Sequence, residues 1–401
     1  MSRFPLHRIL GISFIVLALP ALAIACMWDY DTIRMERSRF PTVLELITGK
    51  FLRHSPEYYR WRIADREKRL KESPNDLAIM DDLAVAYDKL GESQKAVDLA
   101  RKQLELKPDR YETRSNLATF LFQVGKLEES LAMVDSALAI NPNAHFGREK
   151  YQKSLTEYVL KRREDGQSSL PLANVFIDEK VKPDQDPALY QVNVEASFDS
   201  HLAKSGSTLR STLEERAHAV KGIAGMLRFA RHDSPILLEA LGSVLSSNVN
   251  YPKDDAKLLA ARCYIAASET VSDPNSRRNY RALASSALNV QVRPGTHEQL
   301  TLAEVESAFK KEQAEGKAWY AELLAKERGW IESRANPDEE FAKLYAADPE
   351  LSGMDEKDPM PYEKKLTIGL LTIAVTIGIG LIALLSFIVC FFWRKTRPSA
   401  I

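Results

Sequence analysis

The sequence predicts an all-α fold: a solenoid of helical hairpins near the start, further helices after it, and a C-terminal transmembrane helix. Three observations carry that expectation. Apolar and proline landmarks recur every 34 residues between positions 70 and 151. Ala/Leu-rich stretches divided by helix-start signals fill positions 209–288, and Leu366–Trp393 runs for 28 residues without a charged side chain. The composition is globular, 45% hydrophobic and 27% charged over 401 residues, room for two or three domains. Because 55 Lys and Arg balance 55 Asp and Glu, no basic surplus exists to neutralise phosphates, and no nucleic-acid partner is expected.

Residues 1–25 place Arg3, His7 and Arg8 ahead of the apolar run Ile9–Leu19, with Ala23 and Ala25 before Cys26. That pattern is a signal peptide or N-terminal anchor. Three fates fit it: cleavage before Cys26, lipidation of Cys26, or retention as an anchor. Residues 26–55 form a juxtamembrane segment in which Trp28 and Tyr30 suit either a lipid interface or ordinary packing.

The repeat lies in residues 56–160. Leu70, Leu104 and Leu138 keep the 34-residue step, as do Pro74, Pro108 and Pro142, and Leu83, Leu117 and Tyr151. Ala84 pairs with Ala118 and Gly91 with Gly125. Met80, Leu83, Ala84 and Tyr87 recur at helical spacing, Leu90-Gly91 breaks the run, and Ala96, Val97, Ala100 and Leu104 resume it before Pro108. Gly91 and Gly125 therefore mark turns between antiparallel helices, with φ > 0 expected at both.

The block from Leu83 through Gly91, Ala96 and Leu104 to Pro108 resembles a tetratricopeptide repeat, and so does its neighbour with Leu117, Ala118, Gly125, Ala137 and Pro142. Pro56–Ser73, with a stripe of Tyr59, Ile63 and Leu70, matches a half repeat upstream. Ala144–Leu160, with Tyr151, Leu155 and Tyr158, resembles a capping helix downstream. Met80 and Arg114 stand where the family favours Trp, and Ser130 where it favours Ala. The resemblance implies a concave groove for a protein or peptide partner, lined by the inner helix of each pair. Carried over by register, the groove positions are Asp81, Val85, Asp88 and Lys89, then Ser115, Thr119, Phe122 and Gln123, then Glu149 and Lys153. Asp81 and Val85 occupy the positions at which some relatives hold a carboxylate clamp, so no such clamp is implied.

Residues 161–188 read as a linker with one short strand at Asn174–Ile177, and residues 189–294 as a second helical region. Its helices are Leu209–Arg231, Ile236–Ser246, Asp255–Val271 and Ser276–Leu288, divided by Asp233-Ser-Pro235, Tyr251-Pro252 and Asp273-Pro274. Residues 295–362 hold a charged helix over Leu302–Arg334, followed by an acidic, proline-interrupted spacer. The span 366–393 would reach ~42 Å, more than the ~30 Å hydrocarbon core. Arg394, Lys395 and Arg397 follow it, which puts the tail 394–401 in the cytoplasm and the body outside the membrane, in the periplasm of a bacterium. Ala374 and Gly378 are small residues four apart that suit a helix partner within the membrane.

Catalytic chemistry is not legible. Cys26, Cys263 and Cys390 make neither a metal-ligand spacing nor a disulfide framework, and His218 and His232 lie fourteen residues apart. Gly222-Ile-Ala-Gly225 reads as close helix packing rather than a phosphate loop. No catalytic, cofactor-binding or metal-binding residue is predicted, and an enzyme is not expected. The function that follows is a membrane-anchored scaffold for protein–protein interactions in the cell envelope. Alternatives are an assembly or regulatory factor acting through its transmembrane helix, or an enzyme within 189–294.

Overall fold

A computed structural model describes residues 29–142, 148–167, 169–177, 192–205, 212–247, 255–289 and 300–347. The leader, Cys26, positions 178–188 of the linker, the span 366–393 and the tail 394–401 lie outside the described residues. Among the described residues, no helix is long and apolar enough to cross a membrane.

The described chain is mostly helical. Two short helices, α1 (Thr32–Arg37) and α2 (Val43–Thr48), precede α3 (Pro56–Glu72), α4 (Leu77–Lys89), α5 (Ser93–Leu106), α6 (Tyr111–Gln123), α7 (Leu127–Ile140) and α8 (Arg148–Glu164). From α3 onward each of these packs on the next. Ser55 caps α3 by accepting the Tyr58 N–H, with Pro56 at the first helical position, and Asp76 caps α4 by accepting from Ala78 and Ile79. Gly91 and Gly125 have φ of +81° and +79°. The N–H groups of Glu92 and Lys126 return to the carbonyls of Tyr87 and Leu121, closing both helix ends through left-handed glycines.

Ala84, Ala96, Val97, Ala100, Leu117, Phe120 and Leu121 form the core between the two hairpins. Ser130, one repeat after Ala96, is buried without penalty because its hydroxyl donates to the Ala118 carbonyl at 2.7 Å. The landmark residues Leu70, Leu104 and Leu138 are only half-buried, whereas Gln103 is fully buried and donates to the Leu77 carbonyl and to Asp81.

Helix α3 differs from expectation. The stripe of Tyr59, Ile63 and Leu70 is half-buried, and the buried face carries Tyr58, Arg62 and Arg66 instead. The cause is electrostatic: carboxylates of Asp29, Asp31, Asp82 and Asp338 converge on the two guanidinium groups.

Strand β1 (Asn174–Ile177) falls where the sequence places it and pairs antiparallel with β2 (Val192–Glu195), a strand inside the region expected to be helical. The buried Glu239 carboxylate pins the residues before β1, accepting from the Leu172 and Ala173 N–H groups, both at 2.9 Å, and from Tyr280 at 2.8 Å. Helices α9 (Phe198–Ser205), α10 (Leu213–Phe229), α11 (Pro235–Ser246), α12 (Asp255–Thr270) and α13 (Pro274–Leu288) follow. Helix α10 packs on α8, and a β-carbon at Gly222 would lie 2.3 Å from the Tyr151 ring, the close packing expected there.

The 31-residue α14 (Leu302–Glu332) runs back across α12, α2 and α3. Helix α15 (Pro337–Ala347) occupies part of the expected acidic spacer, with Asp338, Phe341 and Tyr345 buried. Every residue of α2 is buried, and it is packed by α10, α12 and α14. Among the described residues, α14 thus packs against α3 and α2, and α15 against α1 and α14.

Candidate functional site

The inner faces of α4 and α6 form one wall of a cavity of about 640 Å³. Val85, Asp88 and Lys89 from α4 line it together with Thr119, Phe122 and Gln123 from α6. These are six of the ten positions assigned by register. The other four stand elsewhere. Asp81 is buried between repeats, accepting from Gln103 at 2.8 Å and from Arg110; Ser115 donates to the buried Glu149 at 3.2 Å. These three occupy one register position in successive repeats, and at that position the side chains serve helix packing. Lys153 pairs with Asp135 of α7 at 2.6 Å, because α8 turns that face toward α7.

Most of the rest of the lining comes from residues 29–54, from α10 and the turn after it, and from α14 and α15. Asp29, Asp31 and Thr32 contribute from the N-terminal segment, Phe51, Arg53 and His54 from the turn before α3, and residues 226–234 from the end of α10. Tyr320 and Tyr345 close it from α14 and α15.

Lys89 reaches across the cavity and donates to the Phe229 and Ala230 carbonyls, the latter at 2.6 Å. It thereby satisfies carbonyls that the C-terminus of α10 leaves without intrahelical partners. Burial pulls the Lys89 ammonium below its ordinary value, and Arg231 and Arg148 add to that pull. The Arg53 guanidinium lies 3.4 Å from the Tyr320 ring centroid, a cation–π stack, and burial lowers it to about 10. His232, edge-on to Phe51 at 5.6 Å, is lowered to about 4 by burial and by the charge of Arg53. The buried side chains of Arg148 and Arg228 also face the cavity, 4.4 Å from the Phe229 ring and 5.2 Å from the Phe40 ring.

The cavity's carboxylates are committed to protein groups. Asp29 and Asp31 pair with Arg62, Asp88 accepts from Ser93 at 2.7 Å, and Asp233 faces Arg231 at 3.4 Å. Behind this wall His54 stands between Asp31 (2.8 Å) and Glu327 (3.1 Å), while Glu327 also accepts the Ser55 N–H at 3.0 Å. Burial opposes charge on His54, but the two carboxylates outweigh it and raise its pKa. Burial likewise opposes charge on Asp31, yet Arg62 and His54 hold it down at about 2.

Compared with family models, curated proteins and solved structures, the chain matches none of them. Among the described residues, no group of three or more His, Cys, Asp or Glu side chains is placed to hold a metal ion.

Sequence reasoning found the α4 and α6 wall because a 34-residue register carries one helix face onto the next. It missed Arg53, His232, Arg148 and Arg228, whose convergence depends on contacts between segments far apart in the chain. One local signal did exist: Arg228, Arg231 and His232 cluster at the end of a predicted helix, and cations gather at helix C-termini.

Proposed function

We propose that this chain is a membrane-held scaffold of the tetratricopeptide type, its helical body outside the cytoplasm and its inner cavity the recognition site for another envelope component. One observation carries the reading. Six side chains that a 34-residue register assigns to an inner face line a single cavity, together with residues from the N-terminal segment, α10, α14 and α15. The uncharged run Leu366–Trp393 and the basic residues after it support the membrane placement. Asp29, Asp31, Tyr320 and Tyr345 line the cavity beside the inner face, and its volume of about 640 Å³ suits a compact group.

Site-specific photo-crosslinking of the full chain in native membranes tests this. A discrete adduct from a probe at Phe122, absent from a probe at Leu106 on the exposed end of α5, supports the reading. Equal labelling at both positions, or none at Phe122, overturns it. Reporters active only outside the cytoplasm test the topology: signal is expected from a fusion at Asp186 and none from one at Ile401.

A further inference from the structure

We infer that the cavity between α4, α6 and α10 binds a small amphiphile, an oxyanion head of the carboxylate or phosphate type carried on an apolar body. This rests on the reading of that cavity as the recognition site and names the chemistry it recognises. Size comes first. A volume of about 640 Å³ falls within the ~300–1,000 Å³ typical of small-molecule sites. The lining is mixed: Phe122, Leu155, Met226 and Leu237 offer apolar surface, and Arg53 and Lys89 bring cationic groups from opposite walls.

Charge decides the sign of the head. Lys89 contacts carbonyl oxygens and Arg53 a carbonyl oxygen and aromatic faces. Of the four carboxylates on the lining, Asp29 and Asp31 pair with Arg62 and Asp233 faces Arg231, while Asp88 accepts from Ser93 and stands beside Lys89. The contrast with the neighbouring buried cluster is instructive. There, Arg62, Arg66 and His54 are all shifted toward the charged form by facing carboxylates. Around the cavity, Lys89, Arg53 and His232 are all shifted the other way: burial is the largest cause at each, Arg231 and Arg148 add to it at Lys89, Arg53 and Lys89 add to it at His232, and the opposing pull of Asp88, Asp29 and Asp233 does not cancel it. Buried positive charge of this kind is costly, and an incoming oxyanion relieves it through charge-assisted hydrogen bonds. A cationic or neutral head gains nothing comparable.

The test is titration calorimetry on the full chain in a non-ionic detergent, using octanoate, octyl phosphate, octanol and octylammonium below their aggregation concentrations. Inorganic phosphate and acetate serve as heads without bodies. Saturable one-site binding of octanoate or octyl phosphate is expected, with octanol and octylammonium at least tenfold weaker and the bare ions undetectable. Whichever of octanoate and octyl phosphate binds tighter distinguishes a fatty-acid-like ligand from a phospholipid-like one. Lys89→Gln should weaken binding about tenfold. Arg231→Gln, at a side chain 64% exposed and so outside the packed core, should weaken it by a smaller factor, and Lys153→Gln should leave it unchanged. Octanol binding as tightly as octanoate, no binding of any amphiphile, or indifference to both Lys89→Gln and Arg231→Gln would overturn the inference. Silent titrations beside a discrete Phe122 adduct would remove the oxyanion and leave the scaffold reading standing. Binding without any Phe122 adduct would do the reverse.

Discussion

Arg62 and Asp338, 276 residues apart in the chain, form a 2.8 Å ion pair inside the protein. Asp338 also accepts from Arg66 and from the Tyr58 hydroxyl, while Arg62 engages Asp31 and Asp29. One buried network therefore holds the N-terminal segment, α3, α4 and α15 together. Its energetics are asymmetric, because removing one partner leaves another charge buried without compensation. Asp338→Ala is expected to destabilise the protein by about 3–5 kcal/mol. Urea denaturation measures this, and a loss under about 1 kcal/mol would mean that solvent reaches the two guanidinium groups.

The same network predicts a pH dependence. The folded pKa of His54 lies above its ordinary value, so the folded state holds this proton more tightly than the unfolded chain does. Its contribution is complete below the unfolded pKa of about 6.5 and is lost as pH rises through the raised folded value. On the acid side, Asp31 contributes above the ordinary carboxylate range, and that contribution is lost as pH falls toward about 2. Urea midpoints between pH 5 and 9 should fall on the alkaline side for the parent protein. For His54→Asn the slope there should be shallower, and an unchanged slope would assign it to another group.

Helix α14 offers a paired test. A β-carbon at Gly316 would lie 2.5 Å from the Thr48 carbonyl oxygen in α2, whereas one at Gly329 meets nothing within 4 Å. Gly316→Ala must push α14 and α2 apart and should cost about 1–3 kcal/mol. Gly329→Ala, at an exposed helical position, should stabilise by up to about 1 kcal/mol. Thermal melts of the two variants moving in the same direction would refute this account of the α2–α14 crossing.

How far the sequence could be read depended on the range of the interactions. Helices α3 to α8 were legible because their signals are local: Pro56 and Pro108 at or near boundaries, Gly91 and Gly125 at turns, and Ala84 and Ala96 at close approaches. The buried face of α3 was not legible. Periodicity looks for apolar residues, and Arg62 and Arg66 are buried only because acids from three distant segments meet them. Strand β2 and helix α15 were missed for a related reason, since pairing with β1 and burial of Phe341 outweigh weak local patterns. For the site, register located the α4 and α6 wall, while the cations opposite it required the tertiary fold.

The repeat core supplies the last prediction. Gly91 has φ +81° and an added β-carbon would meet nothing within 4 Å, so the penalty for substitution is backbone strain rather than collision. Gly91→Val should therefore cost about 1–3 kcal/mol. Leu121 is fully buried among Ala84, Ala96 and Leu117, and Leu121→Ala should cost about 2–5 kcal/mol. Leu104, half-buried, should cost clearly less on the same truncation. Asp88, on the cavity wall, is raised by burial, so removing its carboxylate removes a desolvated charge along with the hydrogen bond from Ser93. These effects offset, and Asp88→Ala should stay within about ±0.5 kcal/mol. Urea melts of the four variants rank them: if Asp88→Ala is as damaging as Leu121→Ala while Gly91→Val is silent, the inner face of α4 is core rather than cavity wall, and the recognition site must be sought elsewhere.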